Sequence, residues 1–395
     1  MQIGLLGKAN VGKSTFFSAA TETPVQVGNF PFTTIEPNVG VAYARTECAC
    51  KVLGVQHETK FCIGGTRFVP VGLIDVAGLV PGAHEGKGLG NRFLDDARQA
   101  EVLIHVVDIA GTTDLQGQPV PAGTHDPMED VRFVQEEFEM WFVQILEREW
   151  AKVSREALLK AADLGEGIAR RFSGLGTTEA DVRAVLLESG LSAKKPSDWD
   201  SGDISGFARA LRRRTKPIIV AANKADLCGD LDIVSKIEGR AVPCSAEAEL
   251  LLRKAAGAGL VEYVPGSDGF AVKEGTAVSP PQQKALDLVG SVFEKIGTTG
   301  IQEAINAAVF ELLGLMVVYP VEDEGRFCNK DGEVLPDARL LPAGSTARQL
   351  AGTIHTDIEK GFLHAIDCKT RQRIGADHEL KHGDVIKVVS TAGRG

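Results

Sequence analysis

Gly7-Lys8-Ala9-Asn10-Val11-Gly12-Lys13-Ser14-Thr15 decides how the rest of this chain is read. The apolar run Ile3-Gly4-Leu5-Leu6 precedes it and Phe16-Phe17-Ser18-Ala19-Ala20 follows, so the local order is strand, glycine loop, helix. A phosphate-binding P-loop requires that context. Gly7 and Gly12 let the backbone curl around an anion with its N–H groups inward, and the helix adds the positive end of its dipole. Lys13 is placed to reach the β- and γ-phosphates, and Ser14 to give its hydroxyl to Mg2+. Asn10, Val11 and Thr15 complete the loop. A chance match has to be weighed in a chain with 44 glycines, but chance does not also supply the strand and the helix. The stretch predicts a nucleoside triphosphate site.

Composition bounds what surrounds it. The 395 residues exceed what one core organises, so two or three domains are expected. A formal charge of −10 argues against wholesale wrapping of nucleic acid, and no DNA partner is expected. No apolar run approaches the ~18 residues of a membrane span. With a strand expected from residue 2, no leader peptide is anticipated. Seven scattered cysteines read as reduced thiols of a cytoplasmic protein.

Outward from the P-loop, residues 21–37 are polar and broken by Pro24, Pro31 and Pro37, a loop containing Asn29-Phe30-Pro31-Phe32-Thr33-Thr34. Thr34 stands where a nucleotide switch places a second hydroxyl on Mg2+. A strand over 68–74 ends at Asp75-Val76-Ala77-Gly78. There Asp75 can hold Mg2+ through water and Gly78 can offer its N–H to the γ-phosphate. The glycine-rich stretch that follows carries His84, and a helix is expected over 89–100. Between the two motifs lie Cys48, Cys50, His57 and Cys62. Sulfur and imidazole so close together could bind Zn2+, but C-x-C is poor zinc spacing, and small buried thiols in a hairpin fit equally.

A strand over 102–107 is followed by the next of its kind only at 216–222, far more than a crossover needs. Asp126-Pro127-Met128-Glu129 opens the insert with an N-cap, a first-turn proline and an early acid. Val131, Val134, Phe138, Trp141 and Ile145 recur at helical spacing, and a further helix is expected after Thr178. The insert reads as a helical hairpin arm, with Arg212-Arg213-Arg214 as a solvated face. The strand at 216–222 delivers Asn223-Lys224-Ala225-Asp226. Asp226 can accept from N1–H and the 2-amino group of guanine, donors that adenine lacks there. Asn223 would serve the other edge of the base, the stem of Lys224 would cover its face, and the backbone of Ser245-Ala246 would donate to its carbonyl. From residue 315, short strands and one helix over 346–359 suggest a small α+β domain whose basic cluster is Lys369, Arg371 and Arg373. The expected layout is a P-loop domain in 1–125 and 211–314, a helical insert in 126–210, and the α+β domain in 315–395.

These motifs in this order resemble the Obg-like translation-factor GTPases, in particular the YchF group, over essentially the whole chain. The C-terminal domain is similar to the TGS module. The resemblance implies an α/β P-loop GTPase domain with an inserted helical arm and a C-terminal β-grasp domain. It also implies GTP/GDP binding with Mg2+, and ribosome or RNA contact through the TGS-like domain and the arm. Many YchF proteins have a degenerate base motif and prefer ATP. Intact Asn223 and Asp226 depart from that pattern and look more like an archaeal branch. The residue after the D-x-x-G motif is Leu79, which cannot position water. The resemblance offers His84 as a catalytic residue beside Lys13 and Gly78, and Asn10 as a ligand for K+. Open alternatives are an ATP-preferring YchF-like ATPase, and a nucleotide-gated RNA- or ribosome-binding module whose hydrolysis is incidental.

Overall fold

The structure, a computed structural model, describes residues 1–21, 39–57, 59–76, 97–159 and 163–391. The strands in chain order are β1 (Gln2–Leu6), β2 (Val39–Glu47), β3 (Cys62–Ile63), β4 (Thr66–Asp75), β5 (Val102–Asp108), β6 (Ile218–Asn223) and β7 (Ala241–Pro243). They form one seven-stranded sheet in the order β2-β4-β1-β5-β6-β7, with β3 paired to β4. β1 runs parallel to both β4 and β5, β5 to β6, and β6 to β7. β5 lies between β1 and β6 and is buried along its whole length. It therefore reads Val-Leu-Ile-His-Val-Val-Asp without the alternation of a half-exposed strand. In the register, Leu5 stands opposite Asp75 and Asp108 opposite Asn223. The P-loop, Asp75, Asp108 and Asn223 thus leave the sheet at the same, carboxyl, edge, where open α/β sheets bind ligands.

The chain gathers into two compact units, a grouping other than the three-part layout expected from the sequence. One unit holds the chain start with Gly72–Ala304 and includes the insert; the other joins Ala42–Val71 to Ile305–Gly395. The insert merges with the first unit because its apolar face has no core of its own. Leu6, Ile74 and Leu103 of the sheet, with Ala100 just before β5, share one buried cluster with Phe138, Phe142, Ile168, Phe172, Phe207 and Leu211. Each such aromatic contributes about 2–3 kcal/mol by burial. The insert's helices are Pro127–Leu158, Leu164–Phe172, Glu179–Glu188 and Ser201–Thr215. The 32-residue first helix starts as its sequence predicts, with the Asp126 side chain accepting from Met128 N–H.

Of the Arg212–Arg214 run, expected on a solvated face, Arg213 and Arg214 are exposed while Arg212 is buried in the seam of the insert. Glu139, on the first helix and buried, accepts from Arg209 at 2.8 Å, Arg212 at 3.1 Å and Arg213 at 2.9 Å. Burial alone would raise the Glu139 pKa, but the Arg213 hydrogen bond and the charges of Arg212, Arg213 and Arg209 hold it below the ordinary carboxylate value. Arg214 turns aside to Asp181 and Glu188.

In the second unit, β10 (Leu315–Val321), β11 (Arg339–Pro342), β12 (Phe362–Asp367), β13 (Gln372–Ile374) and β14 (Val385–Ser390) form a five-stranded sheet in the order β11-β10-β14-β12-β13. A small hairpin in the first unit supplies β8 (Val261–Glu262) and β9 (Ala271–Val272). β10 is buried on both faces. Met316 and Val318 pack with Leu350 of the helix Ala347–Ile354, while Val317, Tyr319 and Val321 pack with Cys48, Cys50 and Val69. The single helix expected over 346–359 breaks at His355, which is extended (φ −164°, ψ 144°) and caps a second helix, Thr356–Lys360, through its ring nitrogen. Lys369, Arg371 and Arg373 sit exposed around the β12–β13 turn.

Candidate nucleotide site

The helix Lys13–Thr21 begins inside the P-loop, and its first backbone bond runs from Phe16 N–H to Gly12 O at 2.9 Å. The N–H groups of Lys13, Ser14 and Thr15 precede that bond and are the orphan donors of the helix start, where an anion is favoured. Gly12 has φ +93°, and a Cβ there would stand 2.3 Å from Asn223 Nδ2. A side chain at Gly7 would meet Val106 O at 2.6 Å. Both glycines are therefore dictated by close approach as well as by backbone angle.

Asn223 explains that closeness. Its Nδ2 donates to Val11 O at 2.9 Å, and its Oδ1 accepts from Ala246 N–H at 3.0 Å. The amide is buried and ties the P-loop to the loop after β7. Asn223 thus holds the P-loop, and the second N–H of its amide stays available for the base edge it is expected to serve. The N–H groups of Ser245 and Ala246, expected to meet the base carbonyl, also have protein partners. Ser245 N–H goes to Thr299 O at 2.9 Å, and a base can gain the Ala246 N–H only by displacing Asn223 Oδ1.

Lys224 is likewise a strut. It adopts φ +60°, and its ammonium donates to Asn10 O at 3.0 Å, to Asp108 at 2.9 Å and to Thr112 Oγ1 at 2.9 Å. Asp108 is fully buried and also accepts from Thr112 N–H and Oγ1 and from Thr113 Oγ1. Burial raises its pKa, but the hydrogen bonds from Thr112 and Lys224 and the lysine charge outweigh that and keep it ionised. Asp226 differs from its neighbours. Its carboxylate has no hydrogen-bond or ion-pair partner among the described residues, while Lys295 binds its backbone carbonyl at 3.0 Å. Of the three polar side chains of this turn, Asp226 alone has a side chain without such a partner among the described residues.

Lys13 pairs with Asp75 Oδ1, so the phosphate-binding lysine and the strand-end carboxylate lie together. Ser14, exposed at the helix start, and Asp75 supply hard oxygen donors of the kind Mg2+ takes. Asn10 Nδ2 donates to Gly117 O at 2.8 Å. A carbonyl only accepts, so this bond fixes the amide orientation and turns Oδ1 the other way. Thr34, Gly78, Leu79 and His84, the loop over 29–34, and most of the helix expected over 89–100 lie outside the described residues.

Sequence reasoning missed the layer beneath the loop. Lys8, buried, pairs with Asp130 at 2.7 Å and donates to Thr113 O at 3.0 Å. Asp130 in turn accepts from His125 Nε2 at 2.9 Å. Gly117, at φ +79°, lies so close to Ala9 that a Cβ would stand 2.8 Å from its carbonyl. No local pattern announces these partners, which are more than a hundred residues from the P-loop. His105 on β5 is buried, and burial followed by the Lys8 charge drives its pKa to about 3.

A mostly parallel sheet whose carboxyl edge carries a P-loop, a strand-end aspartate and an Asn-Lys-x-Asp turn defines a P-loop protein of the GTPase class. Three family models match: "50S ribosome-binding GTPase" over residues 2–139, "Obg-like GTPase YGR210-like, G4 motif-containing domain" over 221–323, and "TGS domain" over 327–390. The chain is 45% identical to the "Uncharacterized GTP-binding protein MJ1332" of Methanocaldococcus jannaschii, over 99% of both chains. It is 28% identical to the "Ribosome-binding ATPase YchF" of Bacillus subtilis, over 92% of this chain and 87% of that one. Among solved structures, a GTP binding protein from Pyrococcus horikoshii OT3 matches with a TM-score of 0.78 at 40% identity, over 99% of this chain and 100% of that one. The chain belongs to the Obg-like GTP-binding proteins, of the YGR210/MJ1332 type with a C-terminal TGS domain.

Proposed function

We propose that this GTP-binding protein is a Mg2+-dependent, slow GTP hydrolase whose nucleotide cycle governs attachment to the ribosome or to RNA in the cytoplasm. The observation that carries guanine preference is the carboxylate of Asp226, which has no hydrogen-bond or ion-pair partner among the described residues, beside an Asn223 and a Lys224 that hold the P-loop. An acceptor built for the N1–H and 2-amino donors of guanine loses its partners when adenine binds, which discriminates strongly. Ser14 and Asp75, with Thr34, would hold Mg2+, which supplies charge neutralisation between the β- and γ-phosphates. Lys13 leaves Asp75 for the phosphates when nucleotide binds, and the free N–H groups of the helix start clasp the same anion. Gly78 would offer its N–H to the γ-phosphate. With Leu79 unable to orient water, His84 is assigned that role. Asn10 Oδ1, turned away from Gly117, would hold K+ against the phosphates. The exposed Lys369, Arg371 and Arg373, together with the helical arm, would meet RNA. Support for that contact comes from the TGS and "50S ribosome-binding GTPase" matches.

Direct titration tests the nucleotide choice. GTP should bind at least ~10-fold tighter than ATP, about 1.4 kcal/mol, and Asp226→Asn should erase most of the gap. Equal affinities would place the protein with ATPases such as the Bacillus relative. Turnover should be faster in K+ than in Na+, an advantage lost in Asn10→Ala, while His84→Ala should lower kcat with nucleotide affinity kept. Co-sedimentation with ribosomes that ignores the bound nucleotide would refute the switch.

A further inference from the structure

The second unit contains a cluster that the nucleotide chemistry leaves unused. Cys48, Cys50, His57 and Cys62 each offer one ligand atom, and these atoms all lie within 4.8 Å of one another. The C-x-C spacing that counts against a metal in the sequence is overcome by local structure. Cys48 is the extended N-cap (φ −78°, ψ 138°) of the short helix Ala49–Leu53 and Cys50 sits in its first turn, so both thiols face one point. The helix start is tied to the hairpin by Cys48 N–H donating to Gly65 O at 2.9 Å. That hairpin turns through Gly64 and Gly65, both at positive φ, and returns Cys62 on β3.

His57 makes the cluster more than packed thiols. Its Nδ1 lies 3.0 Å from Val334 O. A carbonyl can only accept, so Nδ1 carries the proton and Nε2 keeps its lone pair. Nε2 stands 3.5 Å from Cys48 Sγ. Tetrahedral zinc, with bonds of about 2.3 Å to sulfur and 2.0 Å to nitrogen, sets a sulfur and an imidazole nitrogen about 3.5 Å apart and two sulfurs about 3.8 Å apart. Metal-bound histidines are held by such an N–H···O=C bond on the far nitrogen. All four side chains carry free donors, since none of the three cysteines is in a disulfide. Cys62 and His57 also border an open depression lined by Lys51, Gly54 and Gln56, which gives an ion a way in.

We propose that Cys48, Cys50, His57 and Cys62 form a structural Zn2+ site. Three thiolates and one imidazole select zinc over magnesium or calcium, and four protein ligands close the coordination shell. The site fastens the segment Ala42–Val71 within its unit. Arg67 there donates to Leu335 O at 3.0 Å and Pro336 O at 3.2 Å, next to the Val334 that orients His57.

The test is metal analysis of the full-length chain, purified reduced and without a metal-affinity tag. One zinc per chain is expected. Cys62→Ser and His57→Ala should each lower it below about 0.2 per chain, while Cys228→Ser, outside the cluster, should keep it. Should the cluster variants fail to fold, titration of the unmutated protein with a mercurial should release zinc in step with modification of three thiols. Cobalt added to chelator-treated protein should give the visible d–d bands of a tetrahedral, thiolate-rich site. Absence of zinc together with failure to produce that cobalt spectrum would overturn the proposal. So would a disulfide within the cluster in protein prepared under reductant, stoichiometric iron in place of zinc, or zinc retained by both Cys62→Ser and His57→Ala.

Discussion

Removing the Asn223 side chain should damage the P-loop itself rather than the reading of the base. Asn223→Ala deletes two buried hydrogen bonds and leaves Val11 O and Ala246 N–H without partners. Each orphaned group costs about 1–3 kcal/mol, so the sum falls at about 2–4 kcal/mol once water re-enters beside one of them. For a unit of this size that lowers the melting temperature by roughly 5 °C or more. Nucleotide binding must then reorder the loop, and about 2 kcal/mol of that cost is a ~30-fold loss of affinity. GDP and ADP should lose equally, because the tether acts on the phosphate loop common to both. Asp226→Asn should do the reverse, sparing the melting temperature and collapsing the GDP-to-ADP ratio. Calorimetric titration of both nucleotides against both variants, with thermal melts of each, measures all of this. An Asn223→Ala protein with unchanged melting, weakened for GDP but not for ADP, would show the amide to be a base reader and refute the tether.

Two further outcomes follow from the buried charges. His105 has a folded pKa of about 3 against about 6.5 unfolded. Its neutral form therefore stabilises the fold fully above pH ~6.5, and that stability is lost as pH falls toward 3, by up to about 1.4 kcal/mol per pH unit. His105→Leu should flatten urea-unfolding stability between pH 7 and 5, and an unchanged slope would exonerate the residue. Glu139→Ala should cost about 3–5 kcal/mol, because it strands the buried Arg212 guanidinium without its carboxylate, with Glu139→Gln milder. A loss below about 1 kcal/mol in urea unfolding would mean that the arginines find other partners.

The motifs that follow apolar strands were legible because each carries its own physical signature over fewer than ten residues. Gly7 to Thr15 needs only a strand before it and a helix after it, and both are in place. Asp126-Pro127 starts its helix for reasons confined to one turn. The limit of local reading appears where a residue's partner is remote. Arg212 and Arg213 look like any surface run until Glu139, some seventy residues earlier, is brought against them. The Cys48–Cys62 cluster reads as poor zinc spacing because sequence distance does not reveal that one thiol caps a helix and the next lies in its first turn. His355 breaks the single helix expected over 346–359, although Leu350, Ile354 and Ile358 keep helical spacing across the break.

The same principle bears on how the insert relates to the nucleotide. Lys8 is one of the unspecified positions of the P-loop pattern, where any side chain satisfies the motif. Here it is buried and paired with Asp130, on the opening turn of the insert's longest helix. A buried lysine without that carboxylate would carry a desolvation penalty of several kcal/mol, so the pair is kept or lost as a unit. Asp130 is held on its other side by His125, and Thr113 O takes a further Lys8 hydrogen bond. The loop after β5 is pinned to Asn10 through Gly117. The P-loop is thus gripped from below by the insert's first turn and from the side by the strand-end loops that carry Asp108 and Asn223. A shift of the P-loop backbone that broke the Lys8–Asp130 pair would leave two buried charges unpaired, so the P-loop and the start of that helix are energetically coupled.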